Sequence, residues 1–138
     1  MTTIKSFTSL EQSEKLAEFL SLESADMEYL CLKETNATIG SVPFVKDDYE
    51  VENSAYDAIY KRIPCWSLAA LSEFILPSVV DDDGNNYKFY LSKDGLDRWI
   101  AYYKSCDVSI HICEESDNMI DVIFEMICWL KEEKYILL

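Results

Sequence analysis

The stretch Tyr87-Lys-Phe-Tyr-Leu-Ser-Lys-Asp-Gly-Leu-Asp-Arg-Trp-Ile-Ala-Tyr-Tyr-Lys-Ser-Cys-Asp-Val-Ser-Ile-His-Ile-Cys113 decides the fold class. Its aromatic and β-branched residues suit a pleated, half-buried surface and predict strands over 87–92, 98–104 and 108–113. Lys93-Asp94-Gly95 joins the first two as a hairpin turn, because Asp-Gly accepts the positive φ angles that tight hairpins need.

Working outward, Asn118 opens a helix on the C-terminal side. Met119, Val122, Ile123, Met126, Ile127 and Leu130 recur at helical spacing and form a core-facing stripe. Asp121 sits near the positive end of the helix dipole, and Lys131 and Lys134 near the negative end. On the N-terminal side, Asp81-Asp-Asp-Gly-Asn-Asn86 is a turn-rich connector. A calcium-loop reading fails there: with Gly84 at the loop's sixth position, Val79 and Tyr90 fall where carboxylates are needed. Residues 64–76 predict a second helix, with Pro64 in its first turn and an almost wholly apolar body ending at Pro77. Met27 to Lys33 reads as a strand, and Ser9 with Gln12 as a capping box that starts the first helix. Residues 34–63 read as a long irregular connector, with a turn of helix expected near Ala55 to Lys61.

The order α, β, α, a run of β, then α predicts a single α+β domain over residues 1–138. The expected architecture is a small antiparallel sheet of about three to four strands with helices on one face. A chain of 138 residues with 49% hydrophobic content can bury a core without staples.

Charge narrows the function classes. The net charge is −14, from 26 acidic and 12 basic residues, with neither an acidic tail nor a basic arm. Neutralising phosphate needs a Lys/Arg surface, so the composition argues against a direct nucleic-acid binder and against a peripheral protein of anionic membranes. Cys31, Cys65, Cys106, Cys113 and Cys128 make an odd count with no apolar leader before them. That pattern suits free thiols in a reducing, cytoplasmic setting.

Candidate chemistry centres on the single histidine. Strand alternation places Ser109, His111 and Cys113 on one face, and a Cys–His pair can generate a thiolate nucleophile. No orienting group or oxyanion-hole motif accompanies them, so His111 and Cys113 stand as enzyme candidates without an assigned catalytic role. Cys106, His111 and Cys113 give C-x4-H-x-C, which lacks the paired knuckles and the fourth ligand of a structural zinc site, so no metal set is assigned. With three glycines in the chain there is no phosphate-cradling loop, and no cofactor is expected. Partner contact is expected of the acidic residues Asp47, Asp48, Glu50, Glu52, Asp81, Asp82 and Asp83, and of Tyr103, since adjacent strand residues face opposite sides and one of Tyr102 and Tyr103 points outward.

Three segments carry a resemblance: residues 6–27 (Ser-Phe-Thr-Ser-Leu-Glu-Gln-Ser onward), Ile63-Pro-Cys-Trp-Ser-Leu-Ala-Ala-Leu71, and Asp117-Asn118 running into Glu125-Met-Ile127. The chain resembles a family of small proteins of no known activity from gut Bacteroidales, often associated with phage-like or mobile DNA. The resemblance implies an intracellular bacterial setting and a role in mobile-element biology, and supplies no catalytic residue. The leading expectation is a non-catalytic accessory module that binds an unidentified protein. One alternative is an acidic mimic of DNA that inhibits a nucleic-acid enzyme by presenting a dense negative face. Another is an enzyme with a site near His111. Oligomeric state is left open.

Overall fold

A computed structural model describes residues 6–35, 37–40, 42–45 and 59–136. The chain groups into two compact units, Phe7–Ala70 and a second built on Leu71–Leu138. The fold class is α+β with antiparallel sheets, as expected, but the strands divide between two sheets rather than one.

In the first unit, helix α1 (Leu10–Ala17) begins at the expected capping box. The Ser9 N–H donates to Gln12 Oε1 at 3.0 Å, and the Gln12 N–H donates to Ser9 Oγ at 3.1 Å. A single 3₁₀ turn, Leu22–Ser24, leads into strand β1 (Met27–Leu32). β1 is central, flanked by β2 (Phe44–Val45) and β3 (Tyr60–Cys65) in the order β2-β1-β3. Tyr29, Cys31, Ile63 and Cys65 form its core, with Phe7, Leu10 and Met27 packed against them.

β3 corrects the sequence reading, because Pro64 lies in a strand and opens no helix. Among the described residues β3 is an edge strand, where proline's missing N–H removes no ladder bond that the sheet requires. The helix that follows, α2 (Leu68–Ser72), is short, and its cap is Ser67. The Ser67 Oγ accepts the Ala70 N–H at 3.2 Å, while Asp26 holds the Ser67 hydroxyl and N–H. The helical turn expected near Ala55 to Lys61 falls mostly outside the described residues, and Tyr60 and Lys61 belong to β3.

A buried polar knot closes this unit. The Thr8 hydroxyl meets Ser13 Oγ at 2.8 Å and accepts the Trp66 N–H at 3.1 Å. The Thr8 carbonyl accepts the Tyr29 hydroxyl at 2.8 Å and the Cys65 thiol at 3.3 Å, and the Thr8 N–H donates to the Trp66 carbonyl at 2.9 Å. Buried polar groups are costly unless paired, and here every member is paired.

In the second unit, β4 (Ser78–Val80), β5 (Asn86–Lys93), β6 (Trp99–Ser105) and β7 (Val108–Ile112) pair in chain order as an antiparallel meander. The three expected strands are present within a residue or two of their predicted ends. Helix α3 (Met119–Glu132) contributes Val122, Met126 and Leu130 to a core shared with Val79, Tyr87, Ala101, Tyr103 and Cys113. Ser116 organises its start: the Ser116 Oγ accepts the Asn118 N–H at 3.2 Å and donates to Asp121 at 3.1 Å. All five cysteines are free thiols, and only Cys106 is exposed. No helix among the described residues is long and apolar enough to cross a membrane.

Candidate functional site

The register of the second sheet sorts its residues into two faces, since directly opposed residues in an antiparallel ladder point the same way. Tyr87 lies beside Val79, and Phe89, Tyr103 and His111 line up across three strands on the helix side. Tyr90, Tyr102 and Ile112 line up on the outward side, as do Ser78, Lys88 and Lys104 in a parallel row.

The outward face is apolar along its centre. The Tyr90 and Tyr102 rings stack at 5.5 Å with an interplanar angle of 16°. Tyr90 is 44% exposed and Ile112 57% exposed. A shallow groove beside them is lined by Arg98, Ile100, Ile112, Cys113, Glu114 and Glu115. Arg98 at its rim is anchored by the Glu115 carbonyl at 3.0 Å and by looser contacts at 3.8 Å to the Glu115 and Asp117 carboxylates. Lys88 and Lys104 sit directly opposite one another, and neither forms an ion pair among the described residues.

The helix-side face carries the chemistry-bearing cluster. A bulge between Tyr103 and Lys104 pairs Tyr103 with His111 but Lys104 with Ser109. The extra residue, Ile110, turns toward the core, and Ser109 moves to the outward row. The expected common face of Ser109, His111 and Cys113 is therefore corrected: His111 and Cys113 share the helix side and Ser109 does not.

On α3, Glu125 and Trp129 are one turn apart and face this pair. His111 stacks on Trp129. The Glu125 carboxylate accepts the Glu114 N–H at 3.1 Å through Oε2. Cys113 Sγ donates to the Val122 carbonyl at 3.5 Å. One ligand atom each from His111, Cys113 and Glu125 lies within 4.8 Å of the others. His111 Nε2 is enclosed and has no hydrogen-bond partner among the described residues.

Burial dominates the electrostatics of the cluster. It pushes the Cys113 thiol up to about 12, with the Glu125 charge adding to the effect. It raises the Glu125 carboxyl, against the pull of the Glu114 N–H. It lowers the His111 imidazole, against the opposing charges of Glu133 and Glu132. Burial favours the neutral thiol of Cys113 and the neutral imidazole of His111, the opposite of the thiolate–imidazolium pair that nucleophilic catalysis uses.

The other sequence candidates scatter. Tyr103 is a correction: it is fully buried and its hydroxyl donates to the Leu76 carbonyl at 2.7 Å, so it cannot contact a partner, and Tyr102 is the outward tyrosine. Asp81 is occupied within its own turn, accepting from the Asp83 and Asn85 N–H groups, the Asn85 amide and the Tyr87 hydroxyl. Asp82 and Asp83 are exposed beside it. Asp47, Asp48, Glu50 and Glu52 lie outside the described residues. Cys106 occupies the β6–β7 turn at φ 53° and takes no part in the cluster that holds Cys113. Glu125 was missed because it is 12 residues from Cys113 on a different element, and no spacing rule links a strand to the helix that covers it.

Comparison with protein-family models, characterised proteins and solved structures finds no match to this chain.

Proposed function

We propose that this chain is a non-catalytic binding module whose contact surface is the outward face of the second sheet. Its partner is a protein of net positive charge that lays an apolar strip over Tyr90, Tyr102 and Ile112 and sets carboxylates against Lys88 and Lys104. The observation that carries this reading is the row structure of that face. A stacked tyrosine pair and an exposed isoleucine lie in register beside two opposed lysines. Like charges directly opposite each other destabilise a ladder, and apolar rows facing water gain nothing from folding. Both features are relieved by an occupant of the stated kind. The chain's net charge of −14 favours encounter with a basic partner over a polyanion. The burial of Cys113, which favours its neutral thiol, supports a binding role over the enzyme reading.

The test is capture from a Bacteroidales host lysate, a source supported by the family resemblance, with wild type, Tyr102→Glu, Lys88→Glu/Lys104→Glu and an Asp82→Asn/Asp83→Asn control. The reading expects one stoichiometric basic protein that binds wild type and the control and is lost from both face variants. A partner retained by the face variants, or lost from the aspartate control alone, overturns it. Concentration-dependent self-association abolished by Tyr102→Glu would replace the partner with a second copy.

A further inference from the structure

We propose that His111, Cys113 and Glu125 form a three-ligand site for a divalent ion of the zinc class. The site is separate from the outward face: its ligands come from the helix side of β7, from the residue that follows that strand, and from the facing turn of α3.

The donor set fits. Imidazole nitrogen, thiolate sulfur and carboxylate oxygen are the three atom types zinc accepts, and three protein ligands leave a fourth position for water. Tetrahedral bonds of about 2.0–2.3 Å place ligand atoms roughly 3.5 Å apart. The three atoms lie within 4.8 Å of one another, so side-chain adjustment of about an ångström closes the triangle without moving β7 or α3.

Three further observations agree. His111 Nε2 is enclosed and makes no hydrogen bond to the described residues, so the fold leaves bonding capacity on this imidazole unused. Glu125 is oriented by the Glu114 N–H, which reaches Oε2 at 3.1 Å and Oε1 at 3.4 Å, and the imidazole plane is fixed by Trp129; these are the outer supports a ligand set needs. Charge balances as well. A Cys113 thiolate and a Glu125 carboxylate together offset a divalent cation, so the filled site is neutral in a buried setting. On binding, the Cys113 Sγ–H bond breaks and its proton leaves to solvent as the S–metal bond forms; no electron is transferred.

The experiment is titration of the full chain with Co²⁺ as a spectroscopic probe and with Zn²⁺ by NMR. Expected for Co²⁺ are a thiolate-to-cobalt charge-transfer band and visible bands of tetrahedral intensity, saturating at one equivalent and displaced by Zn²⁺. Cys106→Ser retains the bands. Cys113→Ser removes the charge-transfer band, and Glu125→Gln weakens binding at least about tenfold. His111 is the sole histidine, so the imidazole ¹⁵N signals of the unmodified protein report its ligation directly and remain decisive where a variant misfolds. Unshifted ¹⁵N signals under saturating Zn²⁺, or a charge-transfer band that survives in folded Cys113→Ser, overturn the proposal.

Discussion

The His111 imidazole lies flat on the Trp129 indole, with ring centroids 4.6 Å apart and planes 7° apart. Trp129 also meets Tyr103 at 5.6 Å and Tyr135 at 5.4 Å, so one indole joins the sheet, the helix and the chain that follows it. Replacing Trp129 with alanine removes all three contacts and leaves a void, at a cost of about 3 kcal/mol. Urea unfolding followed by circular dichroism checks this; a loss below 1 kcal/mol would show that Trp129 is not the joint described.

Tyr102 and Tyr103 are adjacent and opposite in consequence. Tyr103→Phe strips a buried hydroxyl from the Leu76 carbonyl and is expected to destabilise by about 1–2 kcal/mol. Tyr102→Phe keeps its outward ring and is expected to change stability by less than about 0.5 kcal/mol. Parallel denaturant titrations separate the two, and equal losses would contradict the assignment of faces.

The Asp81 turn should come apart in acid, and late. Hydrogen bonds from Asn85, Tyr87 and Asp83 favour the ionised Asp81 and hold its carboxyl below the usual aspartate range. A depressed folded pKa means the contribution is present above the unfolded value and is lost as pH falls through the folded one. The Asp83 and Asn85 amide shifts should therefore follow a titration whose midpoint lies below the ordinary aspartate value of about 3.9. Movement centred well above that value would show that the turn is not held by Asp81.

Thr8→Val keeps shape but deletes the hydroxyl that accepts the buried Trp66 N–H. The expected loss is about 1–3 kcal/mol, larger than for Ser9→Ala at the half-buried cap, about 1 kcal/mol. If amide exchange of the first unit is no faster in Thr8→Val than in Ser9→Ala, the knot is not what closes it.

Local rules were legible in the sequence. The Ser9–Gln12 box, the α3 stripe and the β5–β6 turn each depend on residues a few positions apart, and each appears in the structure, although in that turn the positive φ falls on Asp97, at 64°, and not on Gly95. Features that depend on distant partners were not. Pro64 is compatible with a helix start and with an edge strand, and only its pairing opposite Glu28 decides between them. Which of Tyr102 and Tyr103 faces out is a question of phase, which one strand alone does not set. The bulge at Tyr103/Lys104 breaks the alternation that grouped Ser109 with His111. Glu125 joins Cys113 only because α3 folds back over β7, an event no spacing motif encodes.

The Thr8 knot has a consequence for the order of events during synthesis. Thr8 and Trp66 are 58 positions apart, so the bond between them must wait until nearly the whole first unit has left the ribosome. Until then the Thr8 hydroxyl lacks its Trp66 donor, and β1 gains β3, its principal neighbour, only as Tyr60 to Cys65 emerge just before it. Long-range closure of this kind slows folding relative to a helical segment of equal length. The first unit is thus completed by its last residues, and a nascent chain halted before Tyr60 leaves open one edge of the strand that a finished chain keeps at the centre of its sheet.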